Sequence, residues 1–190
     1  MIRLSWKITT GSVAAASALL VFSWACGGGG NRGPTAPSFA DVSGEWSGRT
    51  TLEAASGCGC LSDNFADVIG IDKYTVWDIS QNGAAIQGRF WDDWFWSWCD
   101  VTGTVGSESF HAESTSCEQE EVERTCDENG VRRDLVLASI SWQGTVGDIY
   151  VTGNWVMTWD CFNPRNGKAK GALTLGGPFS IHRGATVAGG

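Results

Sequence analysis

The stretch YTVWDISQNGAAIQGRFW, residues 74–91, decides the fold class. Apolar and polar residues alternate on both sides of Asn82-Gly83, which is the pattern of two antiparallel strands that are each buried on one face. Asn-Gly is the preferred two-residue hairpin turn, because both central residues of that turn take positive φ. A turn at these residues predicts that Trp77 lies opposite Gly88. It leaves one face apolar and gives the other the polar side chains of Asp78, Ser80, Gln87 and Arg89.

The stretch LVLASISWQGTVGDIYVTGNWVMTWDC, residues 135–161, predicts a second hairpin. A turn at Gly147-Asp148 gives three inward-facing pairs: Trp142 with Gly153, Ile140 with Trp155, and Val136 with Trp159. It leaves polar residues on the outer face: Ser139, Ser141, Thr152, Asn154 and Thr158. Each strand alternates over about twelve residues, and long strands with internal glycines are typical of a curved, closed sheet.

Further strands are expected over 44–52, 94–105, 108–114, 169–175 and 178–183, with long loops over 54–70 and 117–133. Signals for helices are nearly absent. Eight to ten strands joined in series indicate an all-β fold, an antiparallel up-and-down barrel, because closure removes the unpaired sheet edges. A β-sandwich is the alternative.

The two ends of this strand series resemble the lipocalins and their calycin relatives, which include the avidins. SGEW opens the first strand with Gly44 and Trp46, and FSIHR ends the last strand with Arg183. The resemblance implies that Trp46 plugs one barrel end and that Arg183 packs across it. It also implies a site for small apolar molecules, which is an analogy from fold. No Thr-Asp-Tyr motif and no C-terminal helix follow, so the chain is most similar to Gly-rich and Trp-rich bacterial lipoproteins of this style.

The first 25 residues are predicted to be a signal peptide. A short basic region is followed by the apolar run Val13–Phe22 and by SWAC, which ends at Cys26. This order resembles bacterial lipoprotein signals, so Cys26 is expected to carry a lipid; secretory cleavage at the same bond is the alternative. Residues 26–40 are expected to be a flexible linker, 41–184 the barrel domain and 185–190 a disordered tail. Gly27 after the cysteine suggests the outer membrane in these families.

Six cysteines remain if Cys26 is lipidated, and an exported chain is expected to oxidise them to three disulfides. They are Cys58, Cys60, Cys99, Cys117, Cys126 and Cys161. Cys117 and Cys126 flank an acidic segment and are the preferred pair. A zinc site on the CGC at Cys58 and Cys60 is the alternative, although no paired C-x-x-C spacing accompanies it.

Charge and motifs exclude several functions. Without the signal peptide the formal charge is −10, from 11 basic and 21 acidic residues, which argues against nucleic acid and anionic lipid as partners. No nucleophile elbow, phosphate loop or metalloprotease motif occurs, so no catalytic residue, cofactor or metal is predicted. Asp92-Asp93 is interpreted as a polar turn rather than a carboxylate pair, His111 and His182 as exterior residues, and 118–124 as a solvated acidic segment rather than a calcium loop.

The stretch FWDDWFWSWCD, residues 90–100, holds four tryptophans. A tight connection at Asp92-Asp93 pairs Phe90 with Phe95 and sends Cys99, Val101 and Val105 inward. The outer face then carries the predicted ligand-binding residues Trp91, Trp94, Trp96 and Trp98. Such an apolar ribbon is typical of a contact site for sugar rings, a protein or a bilayer interface. In one alternative, the 54–70 loop covers the ribbon. In the other, a one-residue bulge near Asp100 turns the rings inward.

The favoured function is an exported, lipid-anchored barrel that binds a small apolar molecule at its mouth without catalysis. Five inward tryptophans predict a largely filled interior, since an eight-stranded barrel is just wide enough for side chains or one small ligand. The alternative is an interaction module that contacts a glycan or a protein with the ribbon. An enzyme is the weakest interpretation.

Overall fold

The computed structural model of the chain describes residues 38–94, 97–119, 121–126 and 131–184. Antiparallel strands dominate this part of the chain, and the two helical segments are short: α1 (Cys60–Asp63) and a 3-10 turn (Ala66–Val68). The strands are β1 (Gly44–Thr51), β2 (Ala54–Gly57), β3 (Asp72–Asn82), β4 (Ala85–Asp92), β5 (Ser97–Val105), β6 (Ser109–Cys117), β7 (Glu121–Cys126), β8 (Val131–Val146), β9 (Tyr150–Phe162) and β10 (Ala169–Arg183).

Eight of these strands close into an antiparallel up-and-down barrel. The order is β1-β3-β4-β5-β6-β8-β9-β10, and β10 pairs back onto β1 from Trp46↔Arg183 to Thr50↔Phe179. The two short strands lengthen this barrel, because β2 follows β1 along β10 and β7 follows β6 along β8. The predicted barrel is therefore confirmed, and the sandwich alternative is wrong. The segments expected to be loops over 54–70 and 117–133 contain β2, both helical segments and β7.

The first hairpin turns one residue later than predicted. Its central residues are Gly83-Ala84, since Asn82 pairs with Ala85. Gly83 has φ +61° while Ala84 does not have positive φ, so the turn needs glycine only at its first central position. Trp77 consequently lies opposite Phe90 and not opposite Gly88. This shift of two residues keeps every side chain on its predicted face.

The second hairpin shows the same shift and one irregularity. The Gly147 N–H donates to the Tyr150 carbonyl at 2.8 Å, and the tyrosine ring occupies the space that a Cβ on this glycine would need. Trp142 therefore pairs with Trp155 instead of Gly153. A bulge between Leu137 and Ser139 then reverses the alternation. Leu135 and Leu137 face the interior, and the predicted inward position of Val136 is wrong.

The third connection is longer than predicted. Asp92 pairs with Ser97, and Phe90 pairs with Cys99 instead of Phe95, so the connection begins after Asp92 and ends before Ser97. The Asp93 N–H donates to the Tyr74 carbonyl at 3.0 Å, which keeps the chain along β3 before it turns. The shift is again even, and the inward positions of Cys99, Val101 and Val105 are confirmed by burial.

Aromatic rings fill the barrel interior. Trp77, which is fully buried, has its ring centroid 5.0 Å from Phe90, 6.1 Å from Phe110 and 4.7 Å from Trp142. Phe110 in turn lies 6.3 Å from Phe179 on β10, three strands away in the barrel order. These spacings are those of rings in direct contact. The centre of the barrel is therefore a packed core.

Glycines allow neighbouring strands to approach inside this core. Gly144 and Gly153 face each other across β8 and β9, and a Cβ on Gly153 would lie 2.0 Å from the Gln143 carbonyl oxygen. We expect Gly153→Ala to lower the free energy of unfolding by about 3 kcal/mol, since the strands must separate to admit the methyl group. Urea unfolding followed by circular dichroism measures this loss. Asn154→Ala, an exposed control one position away, should change it by about 0.5 kcal/mol or less; equal losses would contradict the steric argument.

The two barrel ends differ in their connections. One end, called the turn end, holds the tight turns after β3, β5 and β8, and the other, called the loop end, holds the longer connections after β1, β4, β6 and β9. At the turn end the Arg183 guanidinium lies 5.0 Å from the Trp46 ring centroid, and the Trp46 indole N–H donates to the Val42 carbonyl at 2.8 Å. Trp46 and Arg183 thus have the contact that the lipocalin resemblance implies.

Asp41 holds this arginine in place. Arg183 donates to the Asp41 carboxylate at 3.1 Å and also to the Asp41 backbone carbonyl. Hydrogen bonds from the Ser43 hydroxyl and backbone N–H, with a further bond from Arg183, lower the pKa of Asp41 to about 2. The carboxylate therefore stays charged and keeps the guanidinium over the Trp46 ring.

Two disulfides join strands and loops of the barrel among the described residues. Cys58 bonds to Cys161, and Cys99 bonds to Cys117. The expected Cys117–Cys126 pair is wrong, because Cys117 lies directly opposite Cys99 across β5 and β6. The zinc alternative loses a ligand, since the Cys58 sulfur is in a disulfide. The side chains of Cys60 and Cys126 lie outside the described residues, so their oxidation stays a prediction.

Candidate functional site

Aromatic side chains meet on the outer surface of β3, β4 and β5. Trp91 and Trp98 are directly opposite each other across β4 and β5, and both are half-buried and face away from the core. Tyr74 on β3 contacts Trp91 edge-on, with ring centroids 6.5 Å apart. These three residues are called the aromatic row. Trp91 and Trp98 therefore lie on the outer face, as the alternation predicts.

Charged residues border the row at Trp98. The Arg89 guanidinium lies 5.2 Å from the Trp98 ring centroid. Its nitrogens form ion pairs with Asp100 at 3.6 Å and with Glu118. A cation therefore lies over one face of the Trp98 ring at the end of the row.

The other two predicted ribbon residues have different outcomes. Trp94 lies in the connection between β4 and β5 and packs half-buried against the core, so its predicted place on the outer ribbon is wrong. The Lys73 ammonium is 5.6 Å from its ring centroid, and its indole N–H is buried without a partner among the described residues. Trp96 and Phe95 lie outside the described residues. The pairing of β4 with β5 is unbroken, so the bulge at Asp100/Thr102, which affects the β5–β6 pair, does not turn Trp98 inward.

A groove of about 610 Å³ adjoins the aromatic row and shares Tyr74 with it. Its floor consists of small residues on β1 and β10, namely Ser47, Gly48 and Ser180. A Cβ on Gly48 would lie 1.9 Å from the Ser180 carbonyl oxygen, because β1 and β10 approach closely here. The walls are larger and polar: Arg49, Asp72, Lys73, Tyr74, Asp93 and His182. The groove has the volume of a small-ligand site.

The groove walls offer hydrogen-bonding groups of both kinds. Arg49 forms an ion pair with Asp72 at 3.2 Å, and the Thr51 hydroxyl donates to the same carboxylate at 2.6 Å. The Thr51 bond, followed by that from Arg49, lowers the pKa of Asp72. His182 is exposed, as predicted, and its Nε2 lies 3.3 Å from the Ser180 hydroxyl. Acids and bases are mixed here, so the groove presents donors and acceptors rather than charge of one sign.

A buried carboxyl group lies just inside the barrel from this surface. Asp92, the last residue of β4, is 3% exposed. Its oxygens accept the Thr50 hydroxyl at 2.8 Å and the Trp94 backbone N–H at 2.7 Å. Burial raises the pKa of Asp92 to about 7, although both hydrogen bonds act in the opposite direction. The prediction of a polar turn at Asp92-Asp93 is wrong for Asp92 and correct only for Asp93.

This placement also removes the carboxylate-pair alternative. Asp92 points into the barrel, whereas Asp93 lines the groove on the outside. Glycoside hydrolysis needs two carboxyl groups that face the same bond, and these two are on opposite sides of the sheet.

The remaining candidate residues form no cluster. His111 is half-buried on the outer face and lies 3.3 Å from Glu113. The segment 118–124, expected to be a solvated acidic loop, enters strand β7 at Glu121. Across the described residues, no group of three or more His, Cys, Asp or Glu side chains is placed to hold a metal ion. In the same part of the chain, no helix is both apolar enough and long enough to span a membrane.

The groove and the contact of Tyr74 with Trp91 are not predictable from the sequence. The groove residues come from three strands that are far apart in sequence, β1, β3 and β10, and from Asp93. The alternation places Ser47, Arg49, Ser180 and His182 on the outer face. It does not show that the first and last strands pair, and that pairing creates the groove.

No protein-family model, curated protein or solved structure matches this chain.

Proposed function

We propose that the chain is an exported, lipid-anchored β-barrel module that binds its ligand on the outer surface and has no catalytic activity. The observation that carries this proposal is the continuity of the aromatic row with the groove: Tyr74 belongs to both. A barrel of this kind is compatible with ligand binding, and we place the binding site on the outer face rather than at the barrel mouth.

The packed interior argues against the small apolar ligand of the first hypothesis. The contacts of Trp77 with Phe90 and Trp142 occupy the volume that such a ligand would need. Emptying that volume would require moving rings whose burial each removes ~150–250 Å² from water. At roughly 25 cal/mol per Å² this displacement costs several kcal/mol per ring.

Binding on the outer surface does not require buried rings to be displaced. Trp91 and Trp98 keep part of their rings in contact with water. Contact with the apolar face of a ligand removes that area from water and stabilises the complex. The groove then orients the ligand through a small number of polar groups, as is usual for binding sites.

A titration with apolar dyes and fatty acids separates the two sites. We expect any saturable one-to-one change in tryptophan fluorescence that these probes cause in the wild-type protein to be lost in Trp91→Ala/Trp98→Ala. A saturable one-to-one change that persists in Trp91→Ala/Trp98→Ala would place the ligand inside the barrel and contradict the outer-surface proposal.

Export and anchoring rest on the N-terminal sequence and on the cysteines. The two disulfides fit an oxidising compartment. Cys26 lies outside the described residues, so its lipid stays a prediction. We expect Cys26→Ala to move the protein from the membrane fraction to the soluble fraction when it is expressed in a bacterium with lipoprotein processing. Continued partition of the variant with membranes would refute the anchor.

A further inference from the structure

We infer that the ligand of the outer surface is a neutral glycan, held as a segment of several sugar units across the groove and the aromatic row. This inference rests on the proposed function, because it names the ligand class of the same site.

The aromatic row supplies the stacking surface. A sugar ring has an apolar face of C–H groups, which packs against the face of an aromatic ring. Trp91 and Trp98 lie side by side on adjacent strands, and Tyr74 extends the surface by one strand. Side-by-side rings on one sheet face suit successive units of one chain better than a single isolated sugar.

The groove supplies partners for hydroxyl groups. A sugar hydroxyl both donates and accepts, so it needs a wall with both functions. Arg49 donates and Asp72 accepts, and the two side chains lie within 3.2 Å of each other on the groove wall. On the remaining walls, His182 adds its ring nitrogens and Asp93 adds a second carboxylate.

The dimensions fit a chain. His182, Ser47, Val76, Trp91 and Trp98 are directly opposite one another on the five consecutive strands β10, β1, β3, β4 and β5. Four steps between strands cover about 19 Å at ~4.8 Å per step, measured along the curved barrel surface, because these are five of its eight strands. This length exceeds one sugar ring and corresponds to several.

Charge favours a neutral ligand. The whole chain carries a formal charge of −8, and the Arg49 guanidinium beside the groove is already paired with Asp72. A polyanion would meet this excess of negative charge. A lipid chain would bury the charged walls without partners, which is costly.

Native affinity electrophoresis tests the inference. The full-length mature protein is run in gels that contain a soluble neutral polysaccharide (β-glucan, xylan, galactomannan or dextran) or an anionic one (alginate). We expect at least one neutral polysaccharide to retard the wild type and alginate not to do so. Trp91→Ala/Trp98→Ala and the groove-filling change Ser180→Trp should each weaken this retardation at least tenfold. Phe39→Ala removes an aromatic ring that is 40% exposed outside the site and should leave it unchanged.

The controls keep each outcome decisive. Circular dichroism and thermal midpoints show whether each variant is folded, and the single variant Trp98→Ala serves where the double alanine variant is not. Retardation by alginate alone, or retardation that survives both site variants, overturns the inference. If no polysaccharide retards the wild type, the glycan inference is also overturned and a protein becomes the candidate occupant. The proposed function fails separately, through the apolar-probe titration.

Discussion

Replacing both Cys58 and Cys161 by alanine is expected to lower the free energy of unfolding by about 4.7 kcal/mol. The bond joins residues 103 positions apart, and in the chain-entropy account a crosslink of this span restricts the unfolded chain by about that amount. It ties the segment after β2 to the end of β9, and both cysteines are buried.

The second disulfide provides the matched control. Cys99 and Cys117 are 18 positions apart, so Cys99→Ala/Cys117→Ala should cost only about 3 kcal/mol. Urea unfolding of the wild type and both variants, under non-reducing conditions, gives the two losses. A larger loss for the shorter loop would contradict the entropic explanation.

Asp92→Asn is expected to stabilise the protein above pH 7 and to leave it nearly unchanged at pH 4. The pKa of Asp92 is raised from 3.8 to about 7, chiefly by burial, so the folded state retains a proton that the unfolded state releases. Stability therefore falls as the pH rises from about 4 to about 7. A difference of about three units at 1.36 kcal/mol per unit corresponds to a loss on the order of 4 kcal/mol.

Asparagine mimics the protonated carboxyl group and still offers an oxygen to the Trp94 N–H. Lys73 is the nearby cation and Asp93 the nearby anion that act on Asp92. Urea unfolding at pH 4, 6 and 8 should show the wild type losing stability with pH and the variant losing less. Asp93→Asn, on the groove side, is the control and should follow the wild type. A variant that is destabilised equally at all three pH values would show that Asp92 is not a buried acid.

The strand faces were predictable because side chains alternate with a period of two. Both hairpins shifted by two residues from their predicted pairing, yet Trp77, Phe90 and Trp142 remained inside. An even shift preserves the face, so the alternation specified the core better than it specified the turns. The bulge after Leu137 is an odd shift, and it moved Val136 out of the core.

The disulfide pairing and the burial of Asp92 could not be predicted, because the alternation of side chains does not show which residues on different strands lie close together. Cys117 is nine positions from Cys126 but directly opposite Cys99, and only the β5–β6 register shows this. The sequence predicts Asp92 to be a turn residue, because Asp93 follows it directly. The chain instead continues along β3 for one more pair, Asp92 with Thr75, and this step buries the carboxyl group.

Two residues of the aromatic row were also predictable. The outward positions of Trp91 and Trp98 were predicted from the alternation of side chains along β4 and β5. The position of Trp94 was not, because it lies in the connection between the strands. The groove could not be predicted, since it forms only where β10 closes onto β1.

Fluorine NMR of protein labelled with fluorotryptophan tests the outer-surface site most directly. The chain has nine tryptophans after Cys26, and single Trp→Phe replacements assign their signals. A soluble paramagnetic agent should broaden the signals of Trp91 and Trp98 and spare those of Trp77 and Trp142. The neutral polysaccharide that retards the protein should then shift the same two outer signals and relieve their broadening. If that polysaccharide shifts Trp77 and Trp142 instead, the ligand enters the barrel and the outer-surface site is refuted.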